Sequence, residues 1–161
     1  MTTVSTADAA ALLGVSPSHL KGFARAAGIQ PVRVGGRGRP HRLMWGIRHL
    51  LALVLAEPLR RLRVRDVDAI TFIRGIANLP SDEELEAVVR DRPFALVAAP
   101  HLCPQLLDAS AVRAAGEAGG EKLMMQGRQL TAVNLSDLYA DVVGRMRAAS
   151  GAASASSRAG E

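Results

Sequence analysis

Apolar positions in the first third of the chain fall into short helical groups punctuated by glycine. Between Ser5 and Gly14, the residues Ala9, Ala10, Leu12 and Leu13 supply a buried side. Ser5 or Thr6 is placed to cap this helix, and Gly14 to end it in the left-handed conformation that glycine adopts cheaply. A second helix is predicted from Ser16, its cap, with Pro17 at the first position, where a missing N–H costs nothing. Leu20, Phe23 and Ala24 share one face, Lys21 and Arg25 another, and Gly28 and Pro31 close the helix. Val32 and Val34 then alternate with Arg33, the period of a half-exposed strand. Gly35-Gly36 turns the chain back into "HRLMW", which completes a hairpin.

The pattern predicts further helices at roughly 45–57 and 66–78, with Pro58 and the basic "RRLRV" between them. A third follows Ser81, with Glu84 three residues on as in a capping box and Pro93 at its end. From residue 94 the period changes. "FALVAA" reads as a short strand, and 121–125 and 129–133 as two more around Gln126-Gly127. Residues 102–120 are ambiguous, with a short helix near 109–116. Asn134 caps a last helix whose stripe is Leu135, Leu138, Tyr139, Val142, Val143 and Met146. The small, polar stretch 149–161 reads as a disordered tail. These elements make an α+β chain: a domain over 1–79, a small α+β domain over 80–148 with a short sheet and an amphipathic C-terminal helix, and the tail.

The 161 residues are enough for one domain, or for two small ones that share a core. Aromatics are only 3%, so that core is aliphatic. Charge changes the picture more. Residues 1–63 hold ten Lys and Arg against two acids, a net of +8, whereas 64–161 hold ten against thirteen, a net of −3. Such asymmetry points to a polyanion-binding half joined to a half with another job. The longest apolar run, "LLALVLA", is too short to span a bilayer, and no signal peptide is read at the N-terminus. With a single cysteine, Cys103, the expected location is the cytoplasm.

The segment Thr6-Ala7-Asp8-Ala9-Ala10, then Leu13-Gly14-Val15-Ser16-Pro17-Ser18, then Leu20, resembles the DNA-binding domain of MerR-type and excisionase-like proteins. The hairpin stands where that family has its wing, and the likeness covers residues 4–79. It implies a winged helix-turn-helix. Carried over, Ser16, Ser18, His19, Lys21 and Arg25 face the major groove, and the wing residues Arg33, Arg37, Arg39 and Arg42 face the backbone or minor groove. Where the family often has Arg followed by an aromatic pair, this chain has Lys21, Gly22 and Phe23.

Within the wing, Arg37-Gly38-Arg39-Pro40 resembles the core of an AT-hook. Glycine there lets the backbone sit deep while the arginines follow the negative potential of a narrow minor groove. A loop touching phosphates alone is the competing reading. His101 and Cys103 are two apart, but a zinc site needs three or four ligands, so Cys103 reads as structural. No phosphate-binding loop, dinucleotide fingerprint or nucleophile elbow occurs. The expectation is a transcriptional regulator on double-stranded DNA, not an enzyme, with no cofactor and no metal. It is expected to act as a homodimer through the Leu138, Val142 and Met146 stripe. The alternatives are an excisionase-like architectural factor, or an adaptor whose 94–148 segment binds a protein partner.

Overall fold

The computed structural model describes residues 3–35, 41–97, 104–107, 110 and 131–158. Among them the chain runs β1 (Thr3–Ser5), α1 (Thr6–Leu13), α2 (Pro17–Ala27), β2 (Val32–Val34), β3 (Arg42–Gly46) and α3 (Ile47–Arg61). It continues α4 (Asp66–Ala77), α5 (Asp82–Asp91), β4 (Phe94–Val97), β5 (Gln105–Leu107), β6 (Thr131–Asn134) and α6 (Leu135–Arg158). This is a mixed α+β fold with two antiparallel sheets, ordered β1-β3-β2 and β5-β4-β6. The predicted strand 121–125 and helix 109–116 lie outside the described residues, apart from Ser110.

Local chemistry sets the helix ends in the first half. Ser5 Oγ accepts the Asp8 N–H at 3.2 Å, and Gly14 closes α1 at φ 65°. Thr6, the other candidate cap, instead accepts the Trp45 indole N–H at 3.1 Å and so ties α1 to β3. Ser16 Oγ accepts the His19 N–H at 3.2 Å, Pro17 takes the first position of α2, and Gly28 ends it at φ 69°. Gly28 does more than turn the chain. A Cβ there would lie 2.8 Å from Arg74 Nε, which donates to the Ala27 carbonyl at 3.1 Å. Arg74 thus clamps the C-terminal end of α2 to α4.

Gly14 has the same backbone conformation with open space around it. Alanine at either site is expected to cost about 1–2 kcal/mol for the left-handed backbone. Gly28→Ala should lose about 1 kcal/mol more, because Arg74 must leave its carbonyl. Equal losses for Gly14→Ala and Gly28→Ala in urea unfolding would show that Arg74 does not clamp α2.

The helix α3 lies at the centre, with Leu50, Leu51, Ala52, Leu55 and Leu59 all at 1% exposure or less. It passes through Pro58, where the sequence pattern predicts a break. Leu59 explains why. Stopping at Glu57 would forfeit its burial, about 2–3 kcal/mol, which offsets the roughly 3 kcal/mol cost of an internal proline. Glu57 adds pairs with Arg60 and Arg61 across the same turn. The helix then closes with Val64 N–H on the Leu59 carbonyl and Arg63 N–H on that of Arg60. Arg63 holds φ 56°, a position that usually falls to glycine.

The helix α6 also departs from the expected pattern. Its cap is as expected, Asn134 Oδ1 accepting the Asp137 N–H at 3.2 Å. The helix, however, runs to Arg158, through most of the stretch read as a disordered tail. That stretch is rich in alanine, the best helix former, and contains no proline. The stripe expected to form a dimer face is covered by the chain itself. Val142 and Met146 are 3% and 1% exposed within their own chain, and Leu138 packs against the same core. The helix α6 packs on α3, α1 and α5, so the stripe is internal.

One buried cluster runs from Val4 through α3 to Met146, so the halves on either side of residue 79 share a core. Polar bonds cross the same line. Arg145 donates to the Leu12 carbonyl at 3.1 Å, and Arg48 donates to the Pro80 carbonyl at 2.8 Å. No described helix is long and apolar enough to cross a membrane.

Candidate nucleic-acid interface

The helix α2 buries Leu20, Ala24 and Ala27 and half-buries Phe23. Its opposite face is therefore fixed outward: Ser18, Lys21, Gly22 and Arg25 recur at helical spacing and all are exposed. The chain then rises through Gln30 and Pro31 into β2, an edge strand of its sheet. Between α2 and the hairpin lies an open cleft of about 540 Å³. Lys21, Arg25 and Arg33 line it, together with Gln30, Pro31 and the flank of Trp45, and no carboxylate among the described residues does. At Debye lengths near 8 Å in physiological salt, three cations around one cleft reinforce one another.

The expected site residues divide among several places. Lys21, Arg25 and Arg33 meet at the cleft. Arg42 is exposed on β3, opposite Val34 across the ladder. Ser18 is exposed on the first turn of α2, and Ser16 is engaged as its cap, its Oγ accepting the His19 N–H. His19 is exposed but lines a different, apolar groove on the other side of α2. Arg37 and Arg39 lie outside the described residues, as do His101 and Cys103. The strand expected to be half-exposed is open on both faces, with Val32 and Val34 at 40% and 53% exposure.

Three supporting residues carry no signal in the sequence pattern. Arg74 clamps α2 from below. His41 Nδ1 lies 2.9 Å from the Gly35 carbonyl and ties together the two ends of the β2–β3 loop. His49, 2% exposed, accepts the Gly46 N–H on Nδ1 at 3.1 Å and bonds the Gln30 backbone carbonyl, which braces the floor of the cleft. Trp45 meets it edge-on, ring centres 6.4 Å apart. Partners distant in the chain define these roles, so no local pattern announces them.

Burial holds the His49 imidazole at about 4, helped by the charge of Arg48 and opposed by the Gln30 carbonyl. The unfolded chain, with histidine near 6.5, takes up this proton first as pH falls. The contribution of His49 is thus complete above about pH 6.5 and is lost progressively toward pH 4. Stability is expected to drop by about 3 kcal/mol across that window, and His49→Gln should flatten the drop. An unchanged slope in the variant would show that other groups drive acid unfolding. The chain matches no protein-family model and no curated protein.

Proposed function

We propose that this protein binds double-stranded DNA and regulates transcription. The outward face of α2 enters the major groove, and the β2–β3 hairpin follows the neighbouring backbone and minor groove. The observation that carries this reading is the cleft where Lys21, Arg25 and Arg33 converge with no carboxylate among them. The eleven residues of α2 make a rod about 16 Å long, and a helix about 10–12 Å across with its side chains suits a groove about 12 Å wide. The resemblance of residues 4–79 to the MerR-type and excisionase-like domains supports the same docking, and so does the charge split between the two parts of the chain.

Phosphate contacts from the three cations set the position, while Ser18 and the long side chains of Lys21 and Arg25 approach base edges. Two copies per site belong to the reading, because one short helix reaches few base pairs. Their pairing face is not the Leu138, Val142 and Met146 stripe, which is internal. The test is selection of bound duplexes from a random-sequence pool by the full chain. A sharp sequence motif supports the regulator. An A·T-rich preference without a motif indicates an architectural factor instead. Recovery no better than with beads alone overturns DNA binding.

A further inference from the structure

On the side of α2 away from the cationic cleft lies a second groove, about 730 Å³ in volume. Its walls are Leu20 and Phe23 of α2, Leu53 and Val54 of α3, and Ile70 and Ile73 of α4. That volume is within the range of small-molecule sites, about 300–1,000 Å³. We infer that this groove binds an uncharged, apolar small molecule, and that its occupancy alters how α2 is held against the rest of the fold.

The choice of ligand follows from the mouth of the groove. Its charged residues include Glu57, Arg60 and Arg145. Glu57 already accepts Arg60 and Arg61 at 3.0 and 2.9 Å. Arg145 is paired with Asp141 at 2.8 Å and also donates to the Leu12 carbonyl. Asp66 sits in the first turn of α4, where the helix dipole compensates it. The four charges of Glu57, Arg60, Asp66 and Arg145 sum to zero, so an ionised ligand would gain no net attraction at the mouth and would lose hydration on entry. An apolar body loses nothing and covers half-buried Phe23, Val54 and Ile70.

The link to α2 follows from where that helix is fastened. Arg74 clamps its C-terminal end. Its N-terminal half, with His19 at the rim and Leu20 and Phe23 below, borders the groove instead. A ligand wedged there acts on the half of α2 that carries Ser18 and Lys21. The coupling to DNA rests on the proposed function; the groove as a site does not.

The probe is N-phenyl-1-naphthylamine, a neutral apolar dye, titrated into the full chain without DNA. Saturable one-site binding with blue-shifted emission is expected. The sulfonated analogue 8-anilinonaphthalene-1-sulfonate should bind at least about tenfold more weakly, since its charge loses hydration and gains no net attraction at the mouth. Ala69→Trp, which fills the groove from α4, and Ile70→Glu, which charges its wall, should each weaken the dye at least about tenfold. Only variants that keep the wild-type melting temperature are compared. Non-saturable binding, equal affinity for the sulfonate, or wild-type affinity in Ala69→Trp overturns the site. So does binding that appears only as the chain self-associates, for then a second copy fills the groove. Saturating dye should also change affinity for a selected duplex by about fivefold or more. Unchanged affinity overturns the coupling, whereas a chain that binds the dye but no DNA overturns the proposed function and leaves the site standing.

Discussion

Replacing Lys21, Arg25 and Arg33 together with alanine is expected to weaken duplex DNA binding by about a hundredfold at about 0.15 M salt. The size follows from counterion release. Each neutralised phosphate contributes about 0.9 to the slope of log affinity against log salt, which near 0.15 M is roughly fivefold in affinity. Removing all three cations multiplies these factors to about a hundredfold and flattens the slope by about 2.7. All three side chains are exposed and none caps a helix, so folding should change by no more than about 0.5 kcal/mol each. Titrations at several salt concentrations, beside melting curves, separate the two effects. A triple variant that melts and binds like wild type would mean that the cleft does not hold DNA.

The largest expected effect on stability is at Trp45. The residue has no solvent exposure, pairs with Val4 across the β1–β3 ladder, and donates its indole N–H to Thr6. Trp45→Ala removes the ring from beneath the cleft, leaves a cavity and takes from the Thr6 hydroxyl the indole N–H it accepts, leaving it only its bond to the Leu43 carbonyl. The expected loss is about 4 kcal/mol, a large share of the roughly 5–15 kcal/mol typical of a whole domain. Trp45→Phe retains most of the ring volume and should cost about 1–2 kcal/mol, chiefly the hydrogen bond and part of the packing. Because this is the one tryptophan in the chain, unfolding is best followed by circular dichroism in urea. A loss below about 1 kcal/mol for the alanine variant would show that the sheet is not keyed to α1 and α3 by this side chain.

The parts legible in the sequence are those fixed by a residue and its near neighbours. Gly14, Ser16, Pro17 and Gly28 each impose a local backbone geometry, so the two helices and the turn between them follow from the sequence directly. Ser81 and Asn134 act in the same way for α5 and α6. What escaped depends on distant partners. The passage of α3 through Pro58 is decided by where Leu59 is buried, not by the proline alone. The three-residue strands β1 and β5 are too short to show a period, and neighbouring strands define them. The stripe on α6 is visible in the sequence, but a stripe does not name what covers it, and here α3 and α1 do. The cationic face of α2 is legible because its apolar face fixes it by subtraction. The same periodicity puts His19 one residue away from Leu20, toward the apolar groove. Arg74, His41 and His49 have no signal, since each acts on a backbone group far from it or across a turn.

The cleft between α2 and the hairpin is most directly tested by amide hydrogen exchange on the full chain, free and bound to a selected duplex. DNA lying in the cleft should slow exchange in Pro17–Ala27 and Val32–Val34, while α5 and α6 exchange as in the free protein. Protection confined to α5 or α6, with α2 and β2 unchanged, would contradict DNA binding at the cleft.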